Sequence, residues 1–353
     1  MKKKHTKGIF LLILITGFAG TYSVKAQDIH FSQFYMSPLT QNPAMAGALN
    51  DLQATLNYRD QWKAVPAPFK TMAFSFDMKL NKKKAKKGFW AAGLNFFNDK
   101  AGLPQLSTTQ GNFTAAYHVL LNKYSKLGIG LQGGFLQRTL ISSGLQWGSQ
   151  YVGGSYNAGT PSGEPGEGSA NKTTGDFGTG LMWSYNNTAG DINVTDNHDL
   201  KANLGVSVLH INQPEYSFYN TIPEKLYMKY VLQGSALVSI KNTNIAMAPH
   251  FMYVLQGKTQ EIYAGGLLRY KLKQDSKYTG RNAGSAISLG AFYRAKDAIA
   301  LNLLFELGQY AFGFSYDVNT SGLTKASGGR GGFEVSLRFI NPNPFLYGSH
   351  TRY

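Results

Sequence analysis

The sequence predicts an all-β protein: a transmembrane antiparallel β-barrel of about 14 strands with a plug-like N-terminal segment. Three observations support this fold class: a secretory signal, a low content of charged residues, and short segments in which apolar residues alternate with small or polar ones. Such alternation is typical of strands whose outer face meets lipid. A large soluble all-β protein, with its apolar faces turned inward, is the alternative fold.

The composition favours the membrane. Charged residues make up only 15% of the 353 residues, whereas soluble domains average about 25%. Phenylalanine, tyrosine and glycine are abundant, at 22, 21 and 40 residues. The formal net charge is +16, but export to the cell envelope argues against a nucleic-acid partner. The absence of cysteine excludes disulfides and thiolate chemistry.

Residues 1–26 have the three parts of a signal peptide. Lysines open the chain at Lys2–Lys4, a short apolar run follows, and Val24-Lys25-Ala26 supplies the small residues of a cleavage site. The apolar run is shorter than the roughly 20 residues that a membrane-spanning helix requires. Cleavage after Ala26 would make Gln27 the mature N-terminus, and the barrel would then lie in the outer membrane.

Residues 51–340 are predicted to form the barrel, and the hairpin from Ile299 to Asp317 shows the pattern most clearly. With Gly308-Gln309 as its turn, one face is aliphatic and aromatic, and the other is small, polar or charged. The candidate strand cores are Leu52–Asp60, Phe69–Leu80, Gly88–Phe97, Thr109–Val119, Lys126–Arg138, Phe177–Tyr185, Lys201–His210, Tyr227–Ser239, Ile245–Leu255, Glu261–Lys271, Gly284–Arg294, Ile299–Leu307, Tyr310–Asp317 and Gly331–Phe339. Residues 341–353 follow as a tail.

The segment 27–50 is predicted to occupy the lumen. A barrel of this size leaves interior space that an eight-stranded barrel does not. Pro38 and Pro43 disfavour addition of the segment to the sheet as a further strand. The alternative is a disordered periplasmic leader. The candidate lumen residues combine apolar surface with polar groups: His30, Phe31, Gln33, Phe34, Tyr35, Asn42 and Pro43.

Four charged residues occupy inward-facing positions of the predicted strands: Arg294, Glu306, Glu334 and Arg338. We expect them to form a salt-bridge network in the lumen, and an ion-selecting ring is the alternative. The basic turn at 82–87 is either a solvated turn near lipid headgroups or a contact for an acidic protein.

No enzyme or metal site is predicted. His118, His210 and His250 fall on different strands, and no set of His, Asp or Glu recurs at ligand spacing on one strand. We therefore expect no catalytic, cofactor-binding or metal-binding residue.

A specific array of residues follows the signal peptide and continues into the second strand. It comprises Asp28-Ile29-His30-Phe31-Ser32-Gln33-Phe34-Tyr35, Pro38, Asn42-Pro43-Ala44, Gly47, Asn57-Tyr58-Arg59-Asp60-Gln61-Trp62, Phe69-Lys70-Thr71, Ser75 and Asp77. This array resembles the PorP/SprF family of type IX secretion outer-membrane proteins of Bacteroidetes.

The resemblance implies a non-enzymatic barrel that serves type IX secretion or gliding motility. It also implies partners: the C-terminal domain of a secreted surface adhesin, periplasmic or outer-membrane secretion components, and outer-membrane lipid. A passive solute channel is the alternative function.

The longest predicted connection is the candidate docking element for the secreted partner. Trp147 lies at its base, and Tyr151 and Tyr156 follow among glycines and serines. Aromatic anchors with small, adaptable neighbours are common in binding loops. The alternative is a mobile, solvated loop.

Overall fold

The computed structural model describes residues 28–62, 68–80, 87–102, 106–141, 145–163, 169–187, 200–218, 224–273, 284–322, 324 and 328–341. The predicted signal peptide, Gln27, residues 82–86 of the basic turn and the tail after Asn341 lie outside these ranges. Among the described residues, no helix is long and apolar enough to cross a membrane.

The described residues form a closed barrel of fourteen antiparallel strands. These are β1 (Leu52–Gln61), β2 (Phe69–Lys79), β3 (Gly88–Ala101), β4 (Leu106–Leu120), β5 (Ser125–Ile141), β8 (Ser169–Asn186), β9 (Leu200–Leu209), β10 (Lys229–Ser239), β11 (Ile245–Gln256), β12 (Thr259–Lys273), β13 (Ser285–Arg294), β14 (Ala298–Leu307), β15 (Tyr310–Asn319) and β16 (Arg330–Asn341). Two short strands, β6 (Tyr151–Val152) and β7 (Ser155–Tyr156), form a hairpin between β5 and β8. The predicted barrel is confirmed.

The register of the β14–β15 hairpin is the predicted one. Leu307 pairs with Tyr310, and Leu303 pairs with Phe314. Gly308 adopts a positive φ of 59°, which a two-residue turn needs and which glycine adopts without steric cost. Strands β5 and β8 extend further than the alternation predicts, because their pairing continues to Ile141 and Ser169.

The two faces of the barrel differ in chemistry. Large apolar side chains such as Phe113, Leu289 and Leu301 are each more than half exposed on the outside. Polar side chains of the alternate positions are buried inside, among them Asn112 and Asn302. So much exposed apolar surface is unfavourable in water and suits contact with lipid.

The two ends of the barrel also differ. We call one the loop end; it carries the connections 62–68, 102–105, 142–168, 210–228, 257–258, 295–297 and 320–329. We call the other the turn end; it carries the connections 80–87, 121–124, 187–199, 240–244, 274–284 and 308–309. Strand β1 begins and β16 ends at the turn end.

Candidate functional site

The N-terminal segment, residues 28–50, lies inside the barrel. Three short 3-10 turns, Phe34–Met36, Pro38–Thr40 and Pro43–Met45, give it a compact, irregular path. Asp28 contacts the loop end, where its backbone N–H donates to the side chain of Gln256. Asn50 contacts Gln53, at the start of β1. The segment therefore runs from one end of the barrel to the other.

Asp28 is held at the loop end by a chain of charged groups. Its carboxylate lies 2.7 Å from His210 Nε2 and 3.4 Å from Lys229 Nζ. The other imidazole nitrogen of His210 lies 2.8 Å from Asp176 Oδ1. Burial alone would lower the pKa of His210, but the two carboxylates raise this pKa to about 9. Burial would raise the pKa of Asp28, but His210 and Lys229 hold it below its usual range. At neutral pH an imidazolium therefore bridges two carboxylates.

Further along, the segment is bound by Glu334 of β16. The backbone N–H groups of Ser32 and Gln33 donate to the two Glu334 carboxylate oxygens at 2.7 and 3.0 Å. The Ser32 hydroxyl donates to Asp317 at 2.8 Å. All four residues are buried, so these bonds form out of contact with bulk water. Charge-assisted bonds of this kind are stronger than neutral ones.

Asp317 lies at the centre of a buried ion-pair network. Arg59 Nη2 and Arg294 Nη2 approach one Asp317 oxygen at 3.0 and 3.1 Å. Arg59 also donates to the backbone carbonyl of His30. The Nδ1 of His30 lies 3.4 Å from the Glu261 carboxylate. The network joins three strands to the segment.

The aromatic residues of the segment pack against aromatic residues of the wall. Phe34 lies edge-on to Tyr263 and to Phe292, each with ring centroids 5.5 Å apart. Tyr35 stacks on Phe292 at 5.6 Å, and its hydroxyl donates to Asn302 at 3.3 Å. Phe31 packs in a separate cluster, against Ala73 and Phe97 on the other side of the barrel.

Asn42 and Pro43 fit a part of the wall that is built from glycines. The Asn42 amide donates to the backbone carbonyls of Leu181 and Val206, at 3.1 and 3.2 Å. The facing wall positions are glycines, and a Cβ added there would lie within 3 Å of Asn42, Pro43 or Ala44: Gly130, Gly180 and Gly205. Glycine is required at these positions by close approach rather than by backbone conformation.

Near the turn end, backbone groups of the segment meet polar side chains of the wall. The N–H of Gly47 donates to Asp77 at 2.8 Å. The carbonyl of Ala46 lies 2.8 Å from His118 Nε2, and the carbonyl of Ala48 accepts from Lys126. The residue array noted in the sequence has one part in the N-terminal segment and another in β1 and β2. The contacts of Arg59 with His30 and of Asp77 with Gly47 join these two parts.

The four charged residues predicted to form one lumen network fall into two. Glu334 and Arg294 belong to the cluster around Asp317, near the loop end. Glu306 and Arg338 lie near the turn end, where Glu306 pairs with Arg269 and approaches Arg338 Nη2 at 3.8 Å. Glu334 and Arg338 point to the same side of β16 but are four residues apart, and they therefore contact different partners.

The predicted docking loop carries the β6–β7 hairpin. Tyr151 pairs with Tyr156, and their ring centroids are 6.3 Å apart. Tyr151 is 63% exposed, Tyr156 is half-buried and Trp147 is half-buried at the base. Gln150 is buried beneath the hairpin and donates to the carbonyl of Thr160 at 2.9 Å. The described part of this loop is therefore ordered around the two tyrosines.

Sequence reasoning missed several of the residues that hold the segment. Asp176, Asp317 and the inward-facing glycines of β5, β8 and β9 were not singled out. The glycines carried a signal, because alternation already assigns Gly130, Gly180 and Gly205 to the inner face. In the described part of the chain, no group of three His, Cys, Asp or Glu side chains is arranged to hold a metal ion.

The barrel, its apolar outer surface and its occupied interior define a membrane protein of the outer-membrane β-barrel type. The chain belongs to the PorP/SprF family, because the model of that family, described as type IX secretion system membrane protein PorP/SprF, matches residues 23–339. This confirms the resemblance seen in the sequence.

Two solved structures with which the chain shares a barrel fold are remote in sequence. The CymD monoaromatic hydrocarbon channel is 10% identical, with a TM-score of 0.42 over 87% of this chain and 93% of that one. BamA from Haemophilus ducreyi lacking POTRA domains 1-3 is 9% identical, with a TM-score of 0.40 over 82% of this chain and 70% of that one. Similarity at this level supports no inference about function. No curated protein matches the chain.

Proposed function

We propose that this protein is a plugged, non-enzymatic outer-membrane barrel that docks a secreted surface adhesin, through the adhesin's C-terminal domain, for type IX secretion and gliding. The observation that carries the proposal is the occupation of the lumen by residues 28–50. A barrel whose lumen such a segment occupies is suited to holding a protein partner rather than to passing solutes.

The N-terminal segment acts as the plug in this account. Its support comes from buried hydrogen bonds to Glu334 and Asp317, and from a wall whose glycines match its shape. The cavities beside Asp28 and Ile29 measure only about 30, 70 and 20 Å³. The division that follows is a signal peptide at 1–26, the plug at 27–50, the barrel at 51–340 and a tail at 341–353.

A passive solute channel is the second candidate. A cavity of about 320 Å³ near the turn end, lined by both charged and apolar side chains, favours it. That cavity is lined at depth by Phe34, Tyr35 and Met45 of the segment, however, so a channel requires the segment to leave the lumen. Departure would break the buried hydrogen bonds between the segment and the wall, each of which contributes about 0.5–1.5 kcal/mol net, and more where one partner is charged.

In this account the loop end faces the cell exterior, since outer-membrane barrels carry their longer connections outside. The β6–β7 hairpin is then the docking element, with the exposed ring of Tyr151 as its anchor. Periplasmic or outer-membrane secretion components would contact the remaining faces.

The test changes both tyrosines of the hairpin to serine, Tyr151→Ser with Tyr156→Ser, in cells that secrete the partner adhesin. We expect less adhesin retained at the cell surface while the amount of assembled barrel stays normal. Ser155→Ala, in the same hairpin, is the matched control and should retain the adhesin fully. Undiminished retention in the double variant would exclude the hairpin as the docking element.

A further inference from the structure

The cavity at the turn end is lined by charged residues that take no part in the docking proposed for the loop end. It measures about 320 Å³, and its mouth lies beside Leu49, Asn50 and Ile340. Its polar lining comes from inward-facing residues of β9 to β14 and of β16. Phe34 and Tyr35 of the N-terminal segment lie at its deep side, so the cavity is a pocket rather than a passage.

Positive charge dominates this pocket. Its lining contains Lys201, Arg269 and Arg338, and Glu306 is the acidic residue among the described residues that line it. Arg269 and Arg338 share the Glu306 carboxylate. The lining therefore carries three cationic groups and one carboxylate. The Nε of Arg338 is buried with no hydrogen-bond partner among the described residues.

The excess of positive charge is particular to this end of the lumen. Near the loop end, Asp317 lies between Arg59 and Arg294, and His210 lies between Asp28 and Asp176. At the turn end, by contrast, Lys271 continues the inward-facing positions of β12 beyond Arg269. The positive charge thus extends from the pocket towards the rim.

The occupant must arrive along the barrel axis. Lipid headgroups lie outside the wall of strands, so they do not reach a pocket enclosed by that wall. Guanidinium groups bind carboxylates through paired hydrogen bonds, and the pocket volume admits side chains rather than a folded domain. We propose that the turn-end pocket binds an acidic peptide segment of a partner protein, with Lys201, Arg269 and Arg338 as its carboxylate-binding residues.

The first test measures the electrostatic potential in the pocket. Because the chain has no cysteine, a single cysteine introduced as Ser235→Cys reports on the pocket alone. We expect the ratio of its reaction rate with an anionic methanethiosulfonate reagent (sulfonatoethyl) to its rate with the cationic trimethylammonium analogue to be higher than at a solvated position. Ala158→Cys, exposed in the docking loop, is the control and sets the rate ratio of a solvated position. An equal rate ratio at the two cysteines would overturn the proposal.

The second test measures binding of a fluorescent tetraglutamate peptide to the purified full-length barrel. We expect Lys201→Gln to weaken binding by about threefold, and Lys201→Gln combined with Arg338→Gln by about tenfold or more. Lys258→Gln, at the loop end, is the matched control and should bind as wild type does. Equal weakening by Lys258→Gln, or the same affinity for tetralysine, would overturn the proposal. Neither test depends on cargo docking at the loop end, so the two proposals fail separately.

Discussion

The carboxylate of Asp28 lies 2.7 Å from the imidazole of His210, although 182 positions of the chain separate the two residues. This contact fixes the first described residue of the chain at the loop end, while β1 starts at the turn end. The N-terminal segment consequently spans the lumen, and its two ends are held at opposite rims.

The first prediction concerns pH. The contact of His210 with Asp28 and Asp176 contributes stability that is fully present below the ordinary histidine pKa of 6.5. It is lost as the pH rises through about 9, the raised pKa of His210 in the folded protein. We expect protease cleavage within the N-terminal segment of the purified barrel to increase between pH 7 and pH 10.

His210→Asn is the comparison for the pH prediction. His210 has a positive φ of 56°, which asparagine adopts more readily than most residues. The variant should be cleaved more readily by protease at neutral pH, and its cleavage should show no increase near pH 9. An increase of the same size in His210→Asn would assign the pH dependence to other groups, such as lysines or tyrosines.

The second prediction concerns the fit between the segment and the wall. In Gly130→Ala, the added Cβ would lie 2.4 Å from the backbone nitrogen of Ala44, and backbone atoms cannot move aside cheaply. We expect the free energy of unfolding to fall by about 1–3 kcal/mol, measured by urea titration of heat-modifiable mobility. Gly175→Ala, whose nearest neighbour atom would be 3.7 Å away, should not be destabilised. Equal stability of the two variants would show that the segment does not press against β5.

The third prediction concerns the lipid-facing surface. Leu303 lies on the outer face near the middle of β14, so Leu303→Arg should destabilise the barrel by about 2–4 kcal/mol. Ser235→Arg should cost clearly less, because its side chain enters the turn-end pocket. Unfolding in lipid vesicles measures both. Matching losses would mean that the outer surface does not meet lipid at this depth.

The barrel itself was predictable because alternation has a period of two. A face that must contact lipid fixes which residues point outward, and the turn at Gly308-Gln309 fixes the register of its hairpin. The same alternation assigned Arg294, Glu306, Glu334 and Arg338 to the inner face, where the structure has them.

The partners of these residues were not predictable. Asp317 of β15 meets Arg59 of β1, 258 positions away along the chain, because closure of the barrel pairs β1 with β16 and so brings β15 close to β1. The path of the N-terminal segment follows from irregular backbone geometry and from close contacts with glycines. Neither produces a periodic pattern in the sequence from which the path could be predicted. Alternation predicts whether a side chain points into the lumen or towards lipid, but not how far along the barrel axis it lies. This explains why the single charged network expected from the sequence is two separate clusters in the structure.

The most direct test of the account is the single-channel conductance of the purified barrel in planar bilayers, measured for the full-length protein and for a variant that lacks residues 28–48. Heat-modifiable mobility first establishes that both proteins are assembled. If the segment plugs the lumen, the full-length barrel is closed and the variant conducts ions. Equal conductance in the two assembled proteins, whether high or at background, would contradict the account.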